Sequence, residues 1–344
     1  MRGQGTFCVV PGVAGVLLLL LGVSPGVSAA ADRVVMAQAA HAFTFVPLYV
    51  AAKGGFFRDE GIDAELFVAA GGAQARAAVV GGSAAVGVAP PIEIAQAFAA
   101  GQKLLFFASM NTEFSQGIVV HQDYAREKGV TPQAPLSERV RALRGARVSV
   151  TSSGSMTDFF LRFLLRAEGI EPDREVSIVP MGGDPSAALA ALQRRTIDAL
   201  VHAPPAFEIA ETRGYGLLLI SGLRGEIPSL RGVQFTGFYT TRAFAEKNGP
   251  LLVRIARGLR RALQHIHTDT AKARALARAQ FQGIPEPAFD LAWERMLAVW
   301  PKEPAVTRDG IQVAIDFYNK MSAKPLQVRF DDFATNQYVE EAQR

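Results

Sequence analysis

The sequence predicts an α/β protein built as two units with largely parallel sheets. Short apolar runs alternate with helical patterns along most of the chain, the mark of strands joined by crossover helices. The alternation occurs twice, and the stretches at 112–116 and 222–232 are the natural crossings between the units. At 344 residues and 49% hydrophobic, the chain can bury two cores of ordinary size.

In order, "RVVMAQ" (33–38) reads as the first strand, "VPLYVAAKGGFF" (46–57) as a helix closed by glycines, and "DAELFVA" (63–69) as the second strand. "GGAQARAAVVGG" turns into a short helix, and "AAVGVA" (84–89) makes a third strand. "PPIEIAQAFAAG" (90–101) has proline at its start and glycine at its end, the polarity of a helix, and "KLLFFASM" (103–110) is a fourth strand. A second unit follows, with strands at "QGIVVH", "ARVSV", "EVSIVP", "IDALVHA" and "YGLLLIS" and helices near 155–168, 185–195 and 205–213. After the glycine- and proline-rich "GLRGEIPSLRG", the strand "QFTGFYTT" leads into helices that run to the C-terminus. The first unit is therefore expected to be discontinuous, from 32–113 and 230–344, with the second at 114–229.

The N-terminus reads as an export signal over 1–31. Arg2 supplies positive charge, Val13 to Val23 is apolar and leucine-rich, and "VSAAAD" offers small residues for cleavage after Ala29 or Ala31. Glycine and proline interrupt the run, which is short for a membrane span. Cys8, the only cysteine, lies inside this leader and is not placed as a lipid-attachment site. The exported chain thus has no disulfide, thiolate zinc site or cysteine nucleophile.

A formal charge of +4 with scattered Lys and Arg argues against a nucleic-acid partner. No Gly-Lys dipeptide exists to form a phosphate loop, "GYGLLL" lacks the last glycine of a dinucleotide fingerprint, and "GGSAA" lacks that of a nucleophile elbow. His265 and His267 are two apart on a helix, so their side chains diverge. These observations leave no catalytic residue, metal site or cofactor to propose.

The phrases "FVPLYVAAKGGFFRDEGID", "GGAQARAAVVGGSAAVGVA", "LRGARVSVTSSGS", "ALAALQRRTIDALVHAPP" and "TTRAFAEKNGPLLVRIARGL" occur in an order that resembles the extracytoplasmic solute-binding proteins of the nitrate, sulfonate, taurine and thiamine-pyrimidine group, the NMT1-like family among them. The resemblance covers nearly all of the chain after the leader. It implies the type II periplasmic-binding-protein fold, two βα lobes with a two-crossing hinge. It also implies a monomer in the periplasm that passes a small solute to the permease and ATPase subunits of an ABC importer. Two alternatives stay open: an enzyme like the thiamine-pyrimidine synthases, whose cysteine-rich motif is missing here, and a ligand-sensing subunit of a receptor. The sequence departs from the family at Ser83 and Ala84, where an acid is common, and at "HAPPAF", where an aromatic residue and Glu-Pro are common.

Independently of the family, ligands in open α/β sheets lie beyond the carboxyl ends of the strands, where helix N-termini converge. That rule selects His41, Phe43 and Thr44, then Gly71, Gly72 and Gln74, then Pro90 and Pro91 in the first unit. In the second it selects Ser152 and Ser153, then Asp184, then His202 and Pro204. Each has a plainer use: the glycines in a turn, Phe43 packed beneath a helix, the prolines in helix initiation, Asp184 as a cap. Ser155, three residues before Asp158, matches a capping box and is assigned to the helix rather than to a ligand. Convergent helix N-termini, with Arg76 in the first turn of one, favour an anionic solute.

Overall fold

The computed structural model describes residues 31–344 apart from 70, 321 and 323, together with 1, 3, 5, 6 and 8. The leader therefore falls almost wholly outside the described residues. Strands β1 (Asp32–Gln38), β2 (Ile62–Val68), β3 (Val86–Ala89) and β4 (Leu104–Asn111) come first. β3 and β4 are buried along their whole length, which is why they read as continuous apolar runs: both faces are covered. β5 (Gly117–His121), β6 (Arg147–Val150), β7 (Ser177–Pro180), β8 (Ala199–His202) and β9 (Gly216–Ser221) follow, and β10 (Thr236–Thr241) ends the set.

These strands make two five-stranded sheets, in the orders β2-β1-β3-β10-β4 and β7-β6-β8-β5-β9. Each has one antiparallel strand in fourth place. β10 runs against β3 and β4, and β5 runs against β8 and β9. Both odd strands directly follow a passage of the chain from one sheet to the other, at 112–116 and 222–235. A strand that arrives without a crossover helix enters from the opposite direction.

The helix expected over 46–57 is broken in two, at Val46–Lys53 and Phe56–Asp59, because Gly55 takes a left-handed φ of 84° between them. Two short helices, Gln122–Glu127 and Leu136–Arg141, were not legible in the sequence, being polar and lacking a long apolar period. Among the C-terminal helices, Gly249–Thr268 buries Leu252, Ile255, Leu259, Leu263 and Ile266, spaced three or four apart on one face. That face packs on helix Val46–Lys53 beneath the first sheet. Gly258 is the point of closest approach: a Cβ there would lie 2.7 Å from the Phe57 ring.

Helix Arg308–Asn319 covers helix Pro91–Ala99 on the other face of the first sheet. His267 is turned to the Trp300 carbonyl and His265 to the Phe56 ring, so they do not act as a pair. Among the described residues, no helix is long and apolar enough to cross a membrane, and no three His, Cys, Asp or Glu are grouped to hold a metal.

Candidate functional site

Three helices begin beyond carboxyl ends of strands and meet at one cavity of about 300 Å³. Helix Gly72–Val80 follows β2, helix Pro91–Ala99 follows β3, and helix Met156–Ala167 follows β6 in the other sheet. From the first sheet's side Gly72, Arg76, Glu93 and Gln96 line it; from the second, Ser152, Ser153, Ser155 and Phe159; and Tyr318 closes it from helix Arg308–Asn319. The cavity thus combines charged and hydroxyl groups with three aromatic rings, those of Phe159, Phe317 and Tyr318, a mixture suited to a small-molecule site.

The serine loop sorts its hydroxyls by position. Ser155 is the N-cap of helix Met156–Ala167 and accepts the Asp158 N–H at 3.4 Å. The Thr151 hydroxyl donates to it at 2.9 Å, and the Thr157 hydroxyl stands 2.8 Å away. Asp158 in turn accepts the Gly154 N–H at 2.8 Å, closing the loop one residue earlier than a standard capping box. Its charge is met by Arg162 at 2.7 Å. Ser152 and Ser153 lie before the cap and are exposed to the cavity.

The charges opposite are Arg76 and Glu93. Glu93 Oε2 lies only 2.8 Å from where a Cβ on Gly72 would stand, so the carboxyl sits over the first turn of helix Gly72–Val80. Burial pushes its carboxyl above the usual range, while the nearby Arg76 charge pulls the other way. Gly71 adopts φ 138° with open space around it, a conformation that glycine alone adopts without strain, but it is not among the cavity's lining residues. Beneath, the Tyr239 hydroxyl is buried without a hydrogen bond.

The remaining sequence-selected residues lie elsewhere. Phe43 is fully buried against Phe281 and Phe289, so its ring offers no face to a solute in this conformation. Thr44 is buried beside the Ser115 hydroxyl at 3.4 Å, and its carbonyl accepts from Asn111. His41 stacks near Tyr49 and Phe281 and lines a different hollow, with Gln38, Lys53 and Gln280. Gln74 is exposed on the helix that starts at Gly72 and is not among the cavity's lining residues. Pro90 and Pro91 are the N-cap and first residue of their helix.

Asp184 is exposed and accepts the Ser186 N–H at 2.7 Å; the Ser186 hydroxyl and then its N–H hold the carboxyl below the usual range. His202 is buried with its two ring nitrogens 3.2 Å from the Ala203 and Gly183 carbonyls; burial lowers its pKa, and a neutral ring donates to only one of them. The Pro204 carbonyl accepts the Phe43 N–H at 3.3 Å, joining loops that follow β1 and β8. Glu93, Gln96, Phe159 and Tyr318 were missed by sequence reasoning. The first three carry no local signal beyond lying in the opening turns of helices at strand ends, and Tyr318 arrives from far along the chain.

A family model described as the NMT1-like family matches residues 40–280. A candidate binding protein of Bacillus subtilis (strain 168), YtlA, is 23% identical over 250 residues, covering 70% of this chain and 68% of that protein. Among solved structures, the periplasmic aliphatic sulphonate binding protein SsuA of Escherichia coli superposes with a TM-score of 0.65 at 20% identity, over 86% of this chain and 95% of that one. The desulfurization enzyme DSZB superposes with a TM-score of 0.60 at 14% identity, over 91% and 99%. The fold is thus that of periplasmic binding proteins, and it is shared by at least one enzyme.

Proposed function

The chain belongs to the NMT1-like family, and from that premise we propose that it is an extracytoplasmic solute-binding protein that captures a small organic anion and delivers it to an ABC importer. The observation that carries this reading is the cavity itself. It is lined from both sheets, by Arg76 on one side and by the free hydroxyls of Ser152 and Ser153 on the other. In this reading the segments 32–113 and 230–344 form one lobe, 114–229 forms the other, and closure about the two crossings encloses the solute. The shared fold with a sulphonate-binding protein supports a sulfonate as one candidate acid group.

Capture is favoured over catalysis by the state of Ser155. It holds the best position for a nucleophile, at a helix start, yet its oxygen is consumed by Thr151, Thr157 and the Asp158 N–H. In this reading the protein acts in the periplasm as a monomer, after removal of residues up to 29 or 31. Intact-mass measurement on a periplasmic extract checks that point, and a full-length mass in the cytosol refutes it.

The decisive experiment is a thermal-shift screen of the purified protein over sulfonates, carboxylates, nitrate and pyrimidines, followed by calorimetry. A solute at about 100 times its Kd adds about 2.7 kcal/mol of stability. Stabilisation by organic anions, lost on Arg76→Met, supports the reading. A panel that leaves the melting temperature unchanged refutes it.

A further inference from the structure

Besides the cavity between the sheets, a second hollow of about 500 Å³ lies against the first sheet alone. It is bounded by the ends of β1 and β2, by helix Val46–Lys53 and by Gln280 of helix Thr270–Gln280. Among the described residues, none from 114–229 and none of those lining the first cavity borders it. Along β1 the inward positions are Val34 and Met36, both packed in the apolar core with Tyr49. The next position on that face is Gln38, opposite Val68 of β2. A buried glutamine in line with two core residues carries a desolvation cost that packing alone does not explain.

That cost shows in the hydrogen bonds. Gln38 and Tyr49 are each 1% exposed and both line the hollow, yet neither Gln38 Oε1 nor the Tyr49 hydroxyl has a hydrogen-bond partner among the described residues. Gln38 and Ala42 stand near the hydroxyl without reaching hydrogen-bond geometry. Burial pushes the hydroxyl well above its usual pKa, so it keeps its proton. The two unpaired groups have complementary needs, because an amide oxygen only accepts and a phenol hydroxyl can donate.

We propose that this hollow is a second binding site, for an uncharged molecule whose amide or hydroxyl group donates to Gln38 Oε1 and accepts from the Tyr49 hydroxyl. A carboxylate or sulfonate has no donor for Gln38, and an ammonium has no acceptor for Tyr49. The rest of the hollow makes no net demand for charge. Lys53 and Asp63 both line it and oppose each other in sign. Burial lowers the His41 pKa, so near pH 7 its ring is neutral and has one donor and one acceptor. Val68, 48% exposed, adds an apolar wall for the body of the molecule. The site thus differs in chemistry from the first cavity, where Arg76 and the serines favour an anion.

The test is saturation-transfer NMR followed by titration calorimetry on the full exported chain, with propanamide and N-acetylglycinamide as amide probes and glycerol and myo-inositol as hydroxyl probes. At least one series should bind saturably, and the series that binds identifies the group. Tyr49→Phe and Gln38→Leu should each weaken that binding by about two- to tenfold, the loss of one neutral hydrogen bond. Arg76→Met, which should abolish anion capture, should leave it unchanged. Tyr49→Phe deletes an unpartnered atom and should leave the free protein at least as stable, so it decides alone if Gln38→Leu does not fold. No saturable binding by either series overturns the proposal, as does binding that a folded variant of Tyr49 or Gln38 leaves unaltered. Binding lost in Arg76→Met also overturns it, because the probe would then occupy the first cavity. Failure of anion capture leaves this test untouched, since no anion enters it.

Discussion

Ser152, Ser153 and Ser155 sit within four residues of each other, line the same cavity, and should respond differently to loss of their hydroxyls. A serine hydroxyl has one proton and two lone pairs. At Ser155 these face the Asp158 N–H, the Thr151 hydroxyl and the Thr157 hydroxyl, with the Ser152 N–H also at 3.4 Å. Its capacity is used up, and a solute finds nothing left to bond. Ser155→Ala removes a helix cap, which costs about 1 kcal/mol. It also leaves Thr151 and Thr157 to bond each other, at 2.9 Å, so the further loss is small. The total, about 1–2 kcal/mol, corresponds to a fall of about 1.5–3 °C in melting temperature for a chain of this size. Ser152→Ala and Ser153→Ala disturb no such network and should leave the free protein's Tm within about 1 °C. Each should weaken solute affinity by about 1.5–3 kcal/mol if its hydroxyl bonds a charged group. Differential scanning fluorimetry of the free variants and titration calorimetry with the best solute of the screen measure the two effects separately. Loss of binding in Ser155→Ala without loss of stability would refute the reasoning, because it would mean that the cap oxygen serves the solute.

Two further predictions concern stability. Glu208 is fully buried; Arg295 donates to its Oε1 at 3.1 Å, its Oε2 has no partner, and burial pushes its carboxyl up to about 8. A carboxyl raised on folding contributes stability below its unfolded value, and that contribution drains away as pH rises from about 4.5 to about 8. Glu208→Gln should therefore gain on the wild type across that window, reaching about 1–3 kcal/mol at its upper end; parallel denaturation profiles from acid to alkaline pH would show the assignment wrong. For Gly258→Ala, helix propensity favours alanine by about 1 kcal/mol, but the new Cβ would lie 2.7 Å from the Phe57 ring and 3.2 Å from the Phe56 carbonyl. Overpacking of this kind costs about 1–3 kcal/mol, so the urea midpoint should fall, and a rise would show that the two helices separate easily.

What the sequence determines by itself is local. The continuous apolar run within 103–110 specifies a strand because a strand buried on both faces is largely apolar, and 146–150 reads as one from its alternation of apolar and polar residues. Ser155 followed by Asp158 specifies a cap because both partners lie within one turn. Gly72 and the serines at 152 and 153 could be picked out because strand-end loops in α/β folds share a location, whatever their sequence. Only the tertiary structure decides which of those loops meet. It joins the start of helix Gly72–Val80 to the serine loop across two sheets, while His41 turns to another hollow and Phe43 is sealed beneath Phe281 and Phe289. It also brings Glu93 over Gly72 and Tyr318 to the cavity wall, from positions 21 and 246 residues beyond Gly72 (93 − 72 and 318 − 72). Such contacts leave no periodicity to read, because the energy that selects them is the burial and electrostatics of side chains far apart in the chain, which exists only once the sheets have formed.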